Sequence, residues 1–498
     1  MTRYYSPHIE PPFISNGRIN LAGGVLSGSL TCAGDLYWTG GFLGEASPLT
    51  LTIATSGTLF IEANGPISGN VINEGRIVWE DSPDTVNVRG EGIASGLVNL
   101  GQLIISGTKS RSWTRGQHSG FSITNNGVIR MQNNQTAHFY VPFHQDTNAH
   151  VIVEKGRLQL MSGGDLEGNI QAGQGAEVRY QAGTFTISPD YHPSGLGFIG
   201  VHLSGTPSLR GELATNLACY SCQPYFDHLV IRPTGELSFG SDCVFSGVLD
   251  NQGRLIWGDG NVRSDGVGSR LVNHGEWIMT GHQVWTRGQD SDFQVVNHGL
   301  MRNDFNPSLA QSAESTLDVP VDNRGTIEVQ TGVLRFGGGV FRPNDGRLAV
   351  RLNNPTNYGR IEFGEQQEFA GSLLITLAPG FIPSAGSTFT VLMAKQVSGA
   401  FEAYSGLTIK DDLKFTPVFG RDSIALRTDG MVVMSEPDLS IVSTGSMVLL
   451  WWPERFPEYQ LLACTNLLTP EWVPVLLSGT NQAVVSSASL QRFFKTVK

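Results

Sequence analysis

The sequence predicts an all-β chain: a parallel β-solenoid, expected as a right-handed β-helix, with a β cap and a small C-terminal β-sandwich. Three observations lead there. Asn-x-Gly, flanked by apolar residues, returns at spacings of 22 to 26 residues. The flanking residues alternate apolar and polar with a period of two, which is the period of a strand. Only 15% of the 498 residues are charged, where about 25% is usual, so the chain lacks the composition of long solvated helices. The 61 glycines follow no G-X-Y period, which excludes collagen, and 40% hydrophobic residues exclude disorder.

The repeat comes in two runs. Asn73-Glu74-Gly75, Asn99-Leu100-Gly101 and Asn125-Asn126-Gly127 form the first; Asn251-Gln252-Gly253, Asn273-His274-Gly275, Asn297-His298-Gly299 and Asn323-Arg324-Gly325 form the second. Asn and Gly both tolerate positive φ, so the motif bends the chain cheaply, and each glycine is expected at positive φ. One unit holds about three short strands and three turns, one coil of a solenoid. Stacked coils would align Asn73, Asn99 and Asn125, and likewise Asn251, Asn273, Asn297 and Asn323, into ladders of bonded side-chain amides.

A longer period overlies the coils. Gly17-Arg18-Ile19-Asn20-Leu21 resembles Gly156-Arg157-Leu158-Gln159-Leu160, and Trp113-Thr114-Arg115-Gly116-Gln117 recurs identically as Trp285-Thr286-Arg287-Gly288-Gln289. Residues 17–155 therefore read as one copy (156 − 17 = 139) and 156–331 as a second (332 − 156 = 176). The surplus of 37 residues falls at about 181–227, an aromatic-rich insertion expected to be ordered. Residues 1–345 form the expected solenoid. Residues 346–430 continue as β structure without Asn-x-Gly, placed to cap the open end that any solenoid leaves. Short strands at Ser446–Trp451, Tyr459–Ala463, Trp472–Leu477 and Arg492–Val497 then suggest a β-sandwich over 437–498.

Composition also narrows the partners. The net charge is 33 − 44 = −11 with no basic run, so nucleic acid, whose phosphates demand clustered Lys and Arg, is excluded. No stretch approaches the length of apolar chain that spans a bilayer as a helix. Met1–Pro7 lacks the apolar core of a secretory signal, so either the protein is intracellular or the true start lies upstream, and the repeats favour the second. No cofactor-binding motif is present: there is no phosphate loop, nucleophile elbow or His-Glu-x-x-His helix.

Four groups of residues are candidates for chemistry. In the paired pentapeptides, Trp113 and Trp285 offer faces for sugar rings, while Arg115, Gln117, Arg287 and Gln289 offer donors to hydroxyls. The competing reading makes both tryptophans inherited structural positions. Glu80, Asp81, Asp84, Asp259, Asp290 and Asp292 are carboxylates of the kind glycosidases use in pairs about 5–10 Å apart, but they recur at no single offset between coils. His138, His144, Asp146 and His150 cluster in sequence with a spacing that fits no familiar zinc pattern. Cys219-Tyr220-Ser221-Cys222 reads as a disulfide clip in a secreted protein, or equally as two buried thiols; no metal site is expected.

The Asn-x-Gly coils resemble the β-helical passengers of bacterial autotransporter and haemagglutinin-type surface proteins. Phe369-Ala370-Gly371-Ser372-Leu373, Ala385-Gly386-Ser387-Thr388-Phe389-Thr390-Val391-Leu392 and Val397-Ser398-Gly399-Ala400-Phe401 are similar to the segment that closes such helices. The tail, with Thr465-Asn466-Leu467, Glu471-Trp472-Val473-Pro474-Val475 and Arg492-Phe493-Phe494-Lys495, resembles a module common on secreted proteins of environmental bacteria. The resemblance implies an extracellular or cell-surface protein with a structural or adhesive role and no catalytic residues, whose partners are extracellular polysaccharide or cell-surface components. A polysaccharide lyase or glycoside hydrolase on the same scaffold, or a glycan-binding protein, is the alternative.

Overall fold

The structure is a computed structural model and describes residues 8–44, 49–80, 87–258, 260–304, 314–338, 341–410, 413–430, 437–444, 447–453, 458–468, 470–478, 481–486 and 493–497. The chain divides into two compact units, one of residues 1–407 with 416–427, the other of 408–415 with 428–498.

The first unit is a parallel β-solenoid of about 15 turns. One coil shows how it is built. Arg111–Arg115, Ser122–Asn125 and Val128–Met131 are the strands of its first, second and third faces, and Thr136–Phe139, Phe143–Gln145 and His150–Val153 repeat them in the next coil. Each strand pairs in parallel with its counterpart one coil on: Ala137 with Leu158, Ile123 with Phe143, Ile129 with Val151. Elsewhere two faces share one long bent strand, as in Cys243–Asn251, with the register shifting at the bend between Ser246 and Val248. The alternation of side chains in a strand puts every second residue inside, so Ile129 and Met131 are buried while Val128 and Arg130 between them are only half-buried.

The Asn-x-Gly corners organise the stack through buried amides. Asn73 donates to Asn99 at 2.6 Å and Asn99 to Asn125 at 2.7 Å. Asn251, Asn273, Asn297 and Asn323 form a second ladder at 2.6, 2.7 and 2.8 Å, all fully buried. The glycines of these corners are not at positive φ, contrary to expectation. Their requirement is proximity. A Cβ on Gly275 would stand 2.2 Å from the carbonyl oxygen of Gly253, and one on Gly299 would stand 2.1 Å from that of Gly275. Only a bare Cα lets successive corners stack at the sheet spacing.

The two copies do not lie in line. From Arg111–Arg115, first-face pairing runs through eight steps to Glu276–Met279. Trp285, the counterpart of Trp113, follows on the second face, in the column that descends from Ser122–Asn125. The second copy is thus turned by one face. The turn is already present where the second copy begins: Ile19 lies in the third-face column that leads to Ile129, whereas its counterpart Leu158 pairs on the first face. The segment 181–227 adds coils without changing face: its strands Thr184–Gly195, Phe198–His202, Ser208–Leu213, Asn216–Tyr220 and Tyr225–Ile231 are coils of the stack, paired on both sides.

Parallel stacking also continues past 345. Arg347–Leu352 pairs with Ser372–Leu377, and Ser372 with Ala403. Closure comes later, where Thr388–Met393 meets Ser423–Gly430 in antiparallel fashion.

In the second unit, Ser440–Thr444, Met447–Trp451 and Gln482–Ser486 form one antiparallel sheet. Val473–Pro474, Gln460–Cys464 and Phe493–Val497 form another. Leu450, Trp452, Leu461 and Ala483 make the core of this small sandwich.

Candidate functional site: a ridge built twice

The tryptophans of the paired pentapeptides face inward. Trp113 is 1% exposed and Trp285 is fully buried. Trp113 meets Trp79 edge-on at 5.6 Å, and Trp285 lies within 5.1 to 5.3 Å of Trp257 and Trp277. Of the two readings of Trp113 and Trp285, the exposed sugar platform does not fit: they occupy inward positions of Arg111–Arg115 and Gln283–Arg287, as inherited structural residues would. Arg115 and Arg287 end these strands, Gln117 and Gln289 lie two residues beyond, and all four are exposed.

These residues stand on a ridge whose other half comes from the preceding coil. Thr114 pairs with Arg89, and Arg115 with Gly90, in the strand Asn87–Asn99. Arg89 Nε pairs with Glu91 at 2.5 Å, and the Glu91 carboxylate covers Gly116, so that a Cβ there would meet it at 2.0 Å. The second copy repeats this arrangement. Thr286 pairs with Arg263, Asp265 binds Arg263 through both oxygens at 3.1, 3.1 and 2.8 Å, and Asp265 covers Gly288.

The turns that follow are alike too. Ser119 Oγ donates to Gly92 O at 3.2 Å and Ser291 Oγ to Gly266 O at 3.3 Å. Each hydroxyl also accepts the amide of the second residue on, Phe121 or Phe293. Gly92 and Gly266 take φ of +89° and +87°, the left-handed turn that raises the ridge. At its crest Ile93 is 86% exposed and Val267 84%. The repeat Arg89-Gly90-Glu91-Gly92-Ile93 and Arg263-Ser264-Asp265-Gly266-Val267 was legible in the sequence, and matching it across the copies would have found the ridge.

The other candidates do not converge. His138, His144 and His150 lie on the first, second and third faces in turn. His144 Nδ1 bonds Asp165 at 2.7 Å, Asp146 binds the amide of Asn148, and His138 stacks on Tyr140. Burial, reinforced by Arg157, holds the His138 imidazole below its ordinary range. Among the described residues no group of three His, Cys, Asp or Glu is arranged to hold a metal. Asp292 accepts the amide of Gly268 at 2.6 Å and Asp290 is exposed. Asp81, Asp84 and Asp259 lie outside the described residues.

Of the two readings of Cys219 and Cys222, the structure has the pair of buried thiols and no disulfide. All five cysteines are free and buried, and the near neighbour of Cys222 is Cys243 of the next coil, Sγ to Sγ 3.4 Å.

Fold and ridge together define a parallel β-solenoid of duplicated sequence with one surface feature made twice. No protein-family model matches the chain, and no curated protein is similar to it.

Proposed function

We propose that the protein is a secreted or cell-surface solenoid of structural and adhesive type, whose ridges hold extracellular polysaccharide or another hydroxyl-rich cell-surface component without transforming it. The observation that carries this reading is the repetition of the ridge. Two copies of the sequence keep an exposed arginine and glutamine, a carboxylate clamp on the neighbouring arginine and an exposed aliphatic crest. They keep them on strands anchored inside by buried tryptophan. Arg and Gln supply a fork of N–H donors and an amide suited to ring hydroxyls and acidic sugars.

About 15 coils at about 4.8 Å each make a stack of about 70 Å, a rigid element on which two weak sites add by avidity. A glycan array probed with the full chain tests the reading, beside the variant Arg115→Ala, Gln117→Ala, Arg287→Ala, Gln289→Ala. All four side chains are exposed, so the variant keeps its melting temperature. Retention by acidic or neutral polysaccharides should be lost in the variant. Unchanged retention, or none by the wild type, rejects the proposal.

A further inference from the structure

The cysteines of the stack are placed for a reaction that the ridge does not involve. Cys222 follows the strand Asn216–Tyr220, and Cys243 opens Cys243–Asn251 one coil further on. Val244 N donates to Cys222 O at 2.8 Å, so the two segments run at sheet-neighbour distance. That separation, about 4.8 Å between strands, falls within the range of Cα spacings that disulfides span, about 4.4–6.8 Å. Ser221 and Ser241, just before the two cysteines, take left-handed φ of 50° and 60°. These turns aim both thiols into one site. Their sulfurs stand 3.4 Å apart, and a disulfide needs about 2.05 Å, so closure asks for an approach of about 1.4 Å. The pair lines a surface depression with Asp242, Asn261 and Arg263.

We propose that Cys222 and Cys243 are an oxidisable pair that closes into a disulfide between successive coils when the protein meets a low-molecular-weight disulfide, such as oxidised glutathione. One protein thiolate attacks the reagent's S–S bond and expels one thiolate. The second protein thiolate then attacks the protein sulfur of the mixed disulfide and expels the other. Two thiol protons leave with the two expelled thiols; the protein loses two electrons and the reagent gains them. The Cys219 thiol pushes Cys222 up from its ordinary pKa, and contact with Cys222, together with burial, pushes Cys243 up. Closure is therefore slow at neutral pH and accelerates with alkalinity, because the thiolate is the attacking form. The bond would tie a loop of 243 − 222 = 21 residues across the coils that carry the insertion.

The test uses the full wild-type chain equilibrated with oxidised glutathione at pH 8.5, quenched in acid and denatured. Of five thiols, three should remain. Chymotryptic peptides, which part Cys219 from Cys222 at Tyr220 and Cys222 from Cys243 at Phe239, should show Cys222 linked to Cys243. Cys219→Ser should keep that link. Five remaining thiols, or a link from Cys219 to Cys222 in the wild type, overturns the proposal, and this reading needs no variant to fold.

Discussion

Trp285 donates its indole hydrogen to Ser264 Oγ at 2.5 Å within the core, whereas in the first copy Gly90 stands in the place of Ser264 and offers Trp113 no hydroxyl. The Trp113 Nε1 is buried without a bond. Gly90 is kept bare by the Phe121 ring, whose Cγ would lie 2.1 Å from a Cβ there. Both copies stack a phenylalanine on the tryptophan, Phe121 and Phe293 at 5.9 Å, but only the second also satisfies the indole. Ser264→Ala should lower stability by about 1–3 kcal/mol, the cost of orphaning a buried donor. Chemical denaturation measures it, and a silent Ser264→Ala would show that the bond contributes nothing.

The corner glycines give a sharper contrast. Gly275 has ordinary φ but no room, while Gly175 has φ of +75° and nothing within 4 Å of a Cβ. Gly275→Ala should cost more than about 2 kcal/mol, since backbone must move in two coils. Gly175→Ala should cost about 1 kcal/mol, the strain of a left-handed alanine. The reverse order of melting temperatures would restore the positive-φ account of the corners.

Within the second ladder, position sets the cost. Asn273 accepts from Asn251 and donates to Asn297, while Asn323, at the end, accepts from Asn297 and its own Nδ2 is buried without a partner. Asn273 Nδ2 also donates to Leu300 O at 3.2 Å, so Asn273→Ala should cost about 2–4 kcal/mol, three bonds and the groups left unpaired. Asn323→Ala should cost distinctly less. Equal losses in a thermal scan would mean that the ladder does not act as a chain of bonds.

How far the sequence revealed this molecule follows from what each residue type encodes. Asn99 and Asn273 were readable because their spacing carries the coil length, and period-two alternation carries the strands. The inward direction of Trp113 was not, since an aromatic beside Arg115 suits a platform and a core equally. Only the phase of alternation along Arg111–Arg115 decides between them. The pairing of Cys222 with Cys243 depends on which coil lies above which. That is a property of the stack, whereas Cys219-Tyr220-Ser221-Cys222 is only local. The one-face rotation between copies has the same origin: the first copy holds one strand more than a whole number of coils, so Ile19 and its counterpart Leu158 fall on different faces, and no single motif records it.

Two histidines should make the fold acid-sensitive. Burial lowers the pKa of His138, helped by Arg157, and of His202, helped by Arg179 against the opposing pull of Glu177. Both Nδ1 atoms are buried without a bond. A histidine with a depressed folded pKa favours folding fully above its unfolded value of about 6.5. As pH falls below that value, the unfolded chain takes up the proton first and stability drops. The melting temperature should fall between pH 7.5 and pH 5, and the double variant His138→Gln, His202→Gln should fall less steeply. Parallel curves for the two proteins would assign the acid sensitivity elsewhere.

The last prediction turns on the two coils that the second copy adds between Thr184 and Phe226. Thr184 pairs with Ser208 and Ser208 with Tyr225, while Phe185 pairs with Leu209 and Leu209 with Phe226. Excising residues 185–225 therefore joins Thr184 to Phe226 and seats Phe226 where Phe185 stood, both of them buried aromatic residues. Two coils leave the stack with their register intact, so both sequence copies should remain folded and soluble. Excising 185–224, one residue less, seats the half-exposed Tyr225 in the inward place and turns Phe226 outward. A slip of one residue exchanges the two faces of a strand. The shorter deletion should aggregate or melt several degrees lower than the longer one, although it removes less of the protein. Equal behaviour of the two, read by size-exclusion chromatography and far-ultraviolet circular dichroism, would show that register across 184–226 does not govern the stack.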